Sequence, residues 1–253
     1  MLSKSKIKQI KSLEYKKFRD ELGLFVAEGE KLVGEILKSD IEVVDLFRFA
    51  DSNLPKHNIR EEIISENEMK RISFLKTTSA AFIVAKIPHK TLNINEINKS
   101  LNIVLDNIQD PGNLGTIMRL CDWFGIQNII CSHETADCFS PKVVQATMGA
   151  ICRVNVFYVD LNDFFNSLDK NICIYGTFLD GENIYNTQLS VQGLVIMGNE
   201  GKGISQTTEK FVTKKLFIPC FSTNAAKPES LNVSVATAII CSEFKRWALV
   251  VGR

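Results

Sequence analysis

The sequence predicts an α/β protein in two parts: a mostly parallel sheet with helices on both faces in residues 100–253, and a smaller α/β domain in residues 1–95. Short apolar segments alternate with helical segments from Leu101 onward, which is typical of βα units. Helical and extended stretches also alternate up to about residue 90, as a separate group. Residues 88–99 combine a proline with polar residues and little apolar periodicity, which indicates a linker.

The smaller domain is predicted from local patterns. The stretches LGLFVAEG, IEVVDLFRF and AAFIVAKI look extended, whereas EKLVGEILKS looks helical. Ser65 is followed three residues later by Glu68, a capping box that predicts a helix through Ile72. The residues compatible with one face of an N-terminal helix are Ile7, Ile10, Leu13 and Phe18.

The larger domain is predicted to contain six strands and several helices. Its strands are LNIVLD, QNIICS, RVNVFYV, NICIYGTF, GLVIMG and KKLFIPC. GTIMRLCDWFG is predicted as a helix that ends at Gly125. Ser140 fits an N-cap and Pro141 the first position of the helix PKVVQATMG. The last helix is predicted from about Ser230.

Composition narrows the class of protein. The 253 residues are 45% hydrophobic, with 30 Lys+Arg against 29 Asp+Glu, as in a globular chain. No apolar run approaches the ~18 residues of a membrane span, and the N-terminus has no apolar leader segment. Seven cysteines without a CxxC pair indicate reduced thiols, and the three histidines lack ligand spacing. We therefore expect a soluble, cytoplasmic protein without a metal site.

Positive charge is concentrated at the N-terminus. Residues 1–19 contain seven basic side chains and one acid, Glu14. The seven are Lys4, Lys6, Lys8, Lys11, Lys16, Lys17 and Arg19. Such an excess attracts a phosphate backbone, although a solvated helix face is an equally good interpretation.

Three polar, glycine-containing stretches each follow an apolar strand, where open α/β sheets usually bind ligands. In the first, LDNIQDPGNLGTIMR at residues 105–119, three residues predict a flexible turn before a helix, with Arg119 one turn inside it. These three are Gly112, Asn113 and Gly115. A plain βα turn with an exposed arginine is the alternative.

The second stretch, VIMGNEGKGIS at residues 195–205, fits neither glycine pattern that binds nucleotide phosphates. Its Glu200 would repel phosphates and suits a hydroxyl, an amine or a backbone cap. In the third stretch, residues 218–239, Asn232 and Ser234 open the last helix, so capping is an alternative to a chemical role. Cys220 follows Pro219, but the sequence shows no neighbouring group that would activate a nucleophilic thiol.

In this order, the three stretches resemble the signature motifs of the SpoU-type RNA ribose methyltransferases, which belong to the knotted SPOUT superfamily. The matches are NxGxxxR at residues 113–119, GNEGxG at 198–203, and IP followed by ESLNVSVA at 218–219 and 229–236. The resemblance covers residues 101–247. The stretch KIKQIKSLEYKKFRDELGLFVAEGEKLVGE is similar to the RNA-binding domain fused to many members.

The resemblance implies a sheet with a deep trefoil knot, a homodimer whose active sites take residues from both subunits, and S-adenosylmethionine as cofactor. The residues it implies at the cofactor are Thr177, Gly198, Ile218 and Leu231. Those it implies in catalysis are Arg119, Asn113, Asn232, Ser234 and Glu200, with Arg119 orienting the target phosphate and ribose. The loop that contains FSTNAAKP is about four residues longer than in many members, so cofactor contacts at 220–228 stay open.

The implied reaction is S-adenosylmethionine-dependent 2′-O-methylation of a ribose in structured RNA. The N-terminal domain favours ribosomal RNA over transfer RNA, because minimal members that act on transfer RNA often lack it. The alternatives are a transfer RNA 2′-O-methyltransferase, an RNA-binding protein that has lost catalysis, and methylation of a base. Retention of Arg119, Asn113 and Asn232 argues against lost catalysis, and the ESLNVSVA motif favours ribose.

Overall fold

A computed structural model describes residues 2–222 and 230–251. The chain divides into two compact units. The first contains Met1–His89 together with Asp137–Arg153, and the second contains Lys90–Ala136 together with Val154–Arg253. Glu229 of the ESLNVSVA motif lies outside the described residues, as does most of the 220–228 loop.

Eight elements of the first unit come from the N-terminal stretch. They are α1 (Lys4–Ser12), α2 (Lys16–Leu22), β1 (Leu24–Glu28), α3 (Glu30–Leu37), β2 (Val43–Arg48), β3 (Glu61–Ile63), α4 (Glu66–Ile72) and β4 (Ala81–Lys86). The sheet order is β1-β4-β2-β3, with β4 antiparallel to both β1 and β2, and β2 parallel to β3. The core of this unit includes Phe47, Met69 and Phe82. The Ser65–Glu68 capping box is present as predicted.

The remaining elements follow the linker region. They are α5 (Ile94–Ile97), β5 (Leu101–Asp106), α6 (Pro111–Trp123), β6 (Asn128–Cys131), α7 (Pro141–Thr147), β7 (Asn155–Tyr158), α8 (Leu161–Asn166), β8 (Ile174–Asn183), β9 (Gly193–Gly198), α9 (Gln206–Glu209), β10 (Lys214–Phe217) and α10 (Val233–Val251). Ser140 caps α7 and Pro141 begins it, as predicted. This helix packs on β1, within the first unit.

All six strands of the second unit are parallel, in the order β10-β8-β9-β5-β6-β7. The predicted mostly parallel sheet is therefore confirmed. β5 pairs with β9 so that Asp106 lies beside Gly198. The loops that follow these two strands consequently leave the sheet at the same edge and side by side, although ninety residues of chain separate them.

Two predictions of local structure were wrong. The apolar residues from Ile7 to Phe18 do not share one helix, because the chain turns between Ser12 and Lys16 and begins α2 there. The glycines of the first motif do not form a turn before α6, because the helix already begins at Pro111. Asp110 caps it by accepting a hydrogen bond from the Asn113 N–H at 2.7 Å. Arg119 therefore lies more than two turns inside the helix.

Candidate active site

Asn113 is the centre of a hydrogen-bonded network that joins the three motifs. Its Nδ2 donates to Glu200 Oε1 at 2.8 Å. Its Oδ1 accepts from Asn232 Nδ2 at 3.0 Å. Asn113 projects from the first turn of α6, Glu200 from the loop after β9, and Asn232 from the residue before α10. Three distant stretches of sequence thus meet at one place in the second unit.

Asn232 has two structural roles at once. Its Oδ1 accepts hydrogen bonds from the Ser234 N–H at 3.0 Å, the Ser234 hydroxyl at 2.6 Å and the Val235 N–H at 3.3 Å. This is the geometry of a helix N-cap. Its amide nitrogen is left to bind Asn113, so the helix start and the network depend on the same side chain. Ser234 joins the network only through Asn232 and is itself buried.

A rigid loop after β9 presents Glu200. The Asn199 Oδ1 accepts from the N–H groups of Gly201 and Lys202, at 3.0 and 3.1 Å. The backbones of Asn199 and Gly203 bond to each other in both directions. Gly198 permits this closure, because a Cβ at that position would lie 2.3 Å from the Gly203 carbonyl carbon. The loop is therefore held from within, and any larger residue at position 198 would open it.

The loop after β5 supports this arrangement through residues that the sequence analysis missed. Asn107 has a φ of +63° and its carbonyl accepts from Asn199 Nδ2 at 2.8 Å. Asp106, which is buried, accepts from the Ser205 N–H at 2.8 Å. Asparagine tolerates the left-handed region better than most residues, so an asparagine directly after an apolar strand is a usable signal.

Arg119 is not part of this network. It lies six residues after Asn113 on α6, which places the two side chains about 120° apart around the helix. Arg119 is exposed, and within residues 2–222 and 230–251 it makes no hydrogen bond or ion pair. Trp123, one turn further along the same face, is 84% exposed. This face of α6 is therefore directed away from the residues that join the motifs.

Three of the four predicted cofactor residues lie at one edge of the sheet of the second unit, and the fourth precedes α10. Thr177, Gly198 and Ile218 lie where β8, β9 and β10 leave their ladders, and these strands are neighbours. The Thr177 hydroxyl donates to the Ile196 carbonyl at 3.2 Å. Leu231, before α10, is 48% exposed. Backbone groups where neighbouring parallel strands end suit a nucleoside, so Thr177, Gly198 and Ile218 fit S-adenosylmethionine.

Some of the basic side chains near the N-terminus already form ion pairs or hydrogen bonds within the first unit. Arg19 is buried and donates to Asp137 Oδ2, and also to the carbonyls of Leu13 and Glu14 at 2.7 and 2.8 Å. Lys6 pairs with Asp45, and Lys11 donates to the Ser73 carbonyl and lies over the Phe74 ring. The basic residues that stay exposed are Lys4, Lys8, Lys16 and Lys17.

The described part of the chain contains neither a metal-binding cluster nor a membrane-spanning helix. No group of three or more His, Cys, Asp or Glu residues could hold a metal ion there. None of the helices described is long and apolar enough to cross a lipid bilayer.

The fold and the network define an α/β protein with a polar site at the carboxyl ends of parallel strands. Residues 100–242 match the model of the SpoU rRNA methylase family, and residues 4–82 match the MRM3-like substrate binding domain. The 23S rRNA (guanosine(2553)-2′-O)-methyltransferase RlmP of Bacillus subtilis (strain 168) is 29% identical over 240 residues, which are 93% of this chain and 94% of the relative.

Two solved structures share the fold along nearly the whole chain. A Porphyromonas gingivalis protein assigned to the TrmH family of RNA methyltransferases has a TM-score of 0.86 at 37% identity, covering 97% of this chain and 99% of that one. An AdoMet-bound rRNA methyltransferase from Sinorhizobium meliloti has a TM-score of 0.81 at 26% identity, covering 97% of each chain. The chain belongs to the SpoU rRNA methylase family. The resemblance inferred from the three motifs is thereby confirmed.

Proposed function

We propose that this protein transfers the methyl group of S-adenosylmethionine to a ribose 2′-hydroxyl in ribosomal RNA. The observation that supports this most directly is the Glu200–Asn113–Asn232 network, which joins all three family motifs at the ligand-binding edge of the sheet. The matches add the substrate class, because the RlmP relative and the Sinorhizobium meliloti structure, which match 93% and 97% of this chain, are both rRNA methyltransferases. We therefore place ribosomal RNA ahead of transfer RNA.

The chemistry requires positioning and removal of one proton. The ribose oxygen would attack the methyl carbon as the bond from that carbon to the sulfonium sulfur breaks and the neutral thioether leaves, so the protein must align the hydroxyl and stabilise the charge that develops on it. A guanidinium stays protonated in proteins and is no ordinary base. Arg119 is therefore assigned to binding the target phosphate and ribose.

Asn113 is assigned to orienting the substrate side of the site. Its network bonds use one of its two amide hydrogens and one lone pair of its carbonyl oxygen. The remaining hydrogen and lone pair are left for RNA. Glu200, Asn232 and Ser234 hold Asn113 and the surrounding loops in place. The cofactor is held by Thr177, Gly198, Ile218 and Leu231, chiefly through backbone groups and apolar contact.

We further propose a homodimer, because α6 and α10 pack on each other and both expose large apolar side chains, of which Trp123 lies one turn from Arg119. The exposed apolar side chains of the two helices are Trp123, Val235, Leu249 and Val250. Tryptophan is enriched among the residues that dominate the binding energy of protein interfaces, and Trp123 is 84% exposed. A second copy that covers this surface would also place Arg119 beside groups that its own chain does not supply.

The organisation of the chain completes the proposal. Residues 1–95 form the RNA-binding domain and residues 100–253 the methyltransferase domain, with the trefoil knot in the latter. Lys4, Lys8, Lys16 and Lys17 supply the exposed positive charge for a phosphate backbone. None of the seven cysteines, all of which lie in the described residues, forms a disulfide, which suits action in the cytoplasm.

The proposal is tested by transfer of labelled methyl from S-adenosylmethionine to undermethylated, size-fractionated RNA. We expect label in ribosomal RNA as a 2′-O-methylnucleoside, lost in Arg119→Ala and retained in Lys170→Ala, which removes another exposed positive charge from the second unit. Label only in small RNA would show that the substrate is not ribosomal RNA. Label on a base would show that the methyl group does not go to the ribose. Cofactor binding without transfer to any RNA would point to a missing substrate that exists only at a stage of assembly, whereas failure to bind the cofactor as well would favour an inactive RNA-binding protein.

A further inference from the structure

A five-residue segment of β8 lies between two separate registers of the sheet. β10 pairs first through Lys214 with Tyr175 and Lys215 with Gly176. It pairs again through Leu216 with Glu182 and Phe217 with Asn183. One step along β10 therefore corresponds to six steps along β8, so residues 177–181 of β8 pair with no residue of β10. On its other side, β8 pairs with β9 only up to Gly176.

Lys215, at the register shift, contacts two side chains of this segment. The Lys215 Nζ lies 4.3 Å from the centroid of the Phe178 ring and 3.7 Å from Asp180 Oδ2. The same nitrogen lies 2.7 Å from Glu209 Oε1, at the end of α9. One ammonium thus joins two residues of the segment to a neighbouring helix. The hydrogen bond to Glu209 is the main cause that raises the pKa of Lys215, so the side chain stays charged at neutral pH.

Glycines bring the backbone of the segment close enough for these contacts. A Cβ at Gly181 would lie 2.7 Å from the Leu216 carbonyl carbon. A Cβ at Gly176 would lie 2.5 Å from a carbon of the Phe178 ring. The segment is therefore packed tightly at both ends, while Leu179 at its middle is 73% exposed.

We propose that Lys215 is a positioning residue that holds residues 177–181 in the arrangement that binds S-adenosylmethionine. The inference rests on the proposed cofactor site, because the segment begins at Thr177 and β10 ends at Phe217, directly before Ile218. Thr177 and Ile218 are both residues that we assign to the cofactor. Lys215 does not contact the cofactor in this proposal, and acts through the segment.

The effect of losing Lys215 follows from the fraction of molecules that are ready to bind. If the segment holds its binding arrangement only part of the time, the apparent Kd rises by the inverse of that fraction. Exposed ion pairs and a cation–π contact are each weak, so the combined loss corresponds to an increase in Kd of about fivefold. The kcat should stay near the wild-type value, because the bound arrangement is unchanged.

The test compares three variants of the full chain by calorimetric titration with S-adenosylmethionine, by thermal unfolding and by kinetics of methyl transfer. Lys215→Met removes the charge but keeps an unbranched apolar stem. Lys215→Arg keeps the charge, and Lys214→Met removes the neighbouring lysine, whose ion pair at 3.5 Å is with Glu182, outside the segment. We expect a higher Kd and KM for Lys215→Met alone, with the other two within about twofold of wild type.

Each outcome decides between the proposals. Equal affinities in wild type and Lys215→Met, or an equal loss in Lys214→Met, would overturn the role of Lys215 and leave the proposed function intact. No binding to wild type would overturn the cofactor site together with the inference. If Lys215→Met does not fold, Asp180→Asn and Phe178→Leu each remove one partner of the lysine. Unchanged affinity in both of these variants would also contradict the proposal.

Discussion

The orientation of the Asn113 side-chain amide decides which neighbour accepts a hydrogen bond from it and which donates one to it. Its nitrogen faces the Glu200 carboxylate and its oxygen faces the Asn232 amide, so the donors and acceptors alternate along the network. The sequence identified all three residues from motifs and left helix capping as an alternative for Asn232. The structure makes capping and the network compatible, because Asn232 uses its oxygen for α10 and its nitrogen for Asn113.

Reversing one donor in this network should disable the enzyme, and reversing two should restore it. Asn113→Asp places a carboxylate against Glu200 Oε1, where the native distance is 2.8 Å, and we expect kcat/KM to fall by about 100-fold. In the double variant with Glu200→Gln, the new amide can donate back, and at least about tenfold of the loss should return. Methyl transfer to undermethylated ribosomal RNA measures both. Equal activity of the single and double variants would refute the proposed alternation.

The acid stability of the first unit should depend on Glu68. Its carboxylate accepts from the Ser65 N–H at 3.1 Å and the Leu2 N–H at 2.9 Å, and these bonds lower its pKa from 4.5 to about 2. A lowered pKa in the folded state means that the stabilisation is complete above pH 4.5 and is lost as the pH falls from there through about 2.

Urea unfolding of wild type and Glu68→Gln across this range measures the contribution. We expect the difference in free energy of unfolding between the two proteins to shrink steadily as the pH falls below 4.5. The neutral glutamine provides the control, because it cannot titrate there. A difference that stays constant down to pH 2 would show that the Glu68 charge adds nothing to folding.

At the scale of elements, the stretch Asp137–Arg153 is fastened within the first unit at several points. Before α7, Asp137 forms an ion pair with Arg19, and the Phe139 ring contacts the Phe25 ring. Beyond α7, Arg153 pairs with Glu35 on α3 at 2.7 Å. Local pattern alone predicted α7 and its cap correctly. It could not show which unit the helix packs in, because that depends on partners more than a hundred residues away.

The substitution Gly149→Ala should test this attachment. Gly149 has a φ of +100°, and a Cβ there would lie 2.9 Å from Glu35 Cγ. Gly29, in the same unit, has a φ of +99° but nothing within 4 Å of its Cβ position. Backbone strain should cost about 1–3 kcal/mol in both variants, with about 1 kcal/mol more in Gly149→Ala from the added contact.

Urea unfolding of the two alanine variants gives the difference directly. Removing the contact with Glu35→Ala in the Gly149→Ala background should return that excess. A Gly149→Ala variant no less stable than Gly29→Ala would show that α3 and the stretch after α7 do not press on each other in solution.

At the scale of the whole molecule, the sequence predicted the content of the sheet better than its order. Apolar runs located all six parallel strands, but no spacing indicates that β9 lies between β8 and β5. That order brings Gly198 beside Asp106 and so places Glu200 within reach of Asn113. The basic N-terminus shows the opposite limit, because charge counting cannot reveal that Arg19 is buried against Asp137. Both the strand order and the burial of Arg19 depend on contacts between residues that are far apart in the sequence.

Whether the active site is complete in one chain is also a question about the whole molecule. If a second copy covers α6 and α10, Trp123 is the side chain with the most surface to bury, and Trp123→Ala should weaken association by about 30-fold or more, as for a central interface residue. Phe221→Ala is the matched control, since Phe221 is 81% exposed but lies outside both helices.

Sedimentation equilibrium over a range of protein concentrations measures the dimer constant, and methyl transfer at the same concentrations measures its consequence. Because Arg119 has no partner within the described part of its own chain, we expect activity of Trp123→Ala to be lost at low protein concentration and to return as the variant is concentrated into dimers. A wild-type protein that stays monomeric and active at all concentrations would place Arg119 in a site formed by one chain. Equal dissociation of the Phe221→Ala variant would move the interface away from α6.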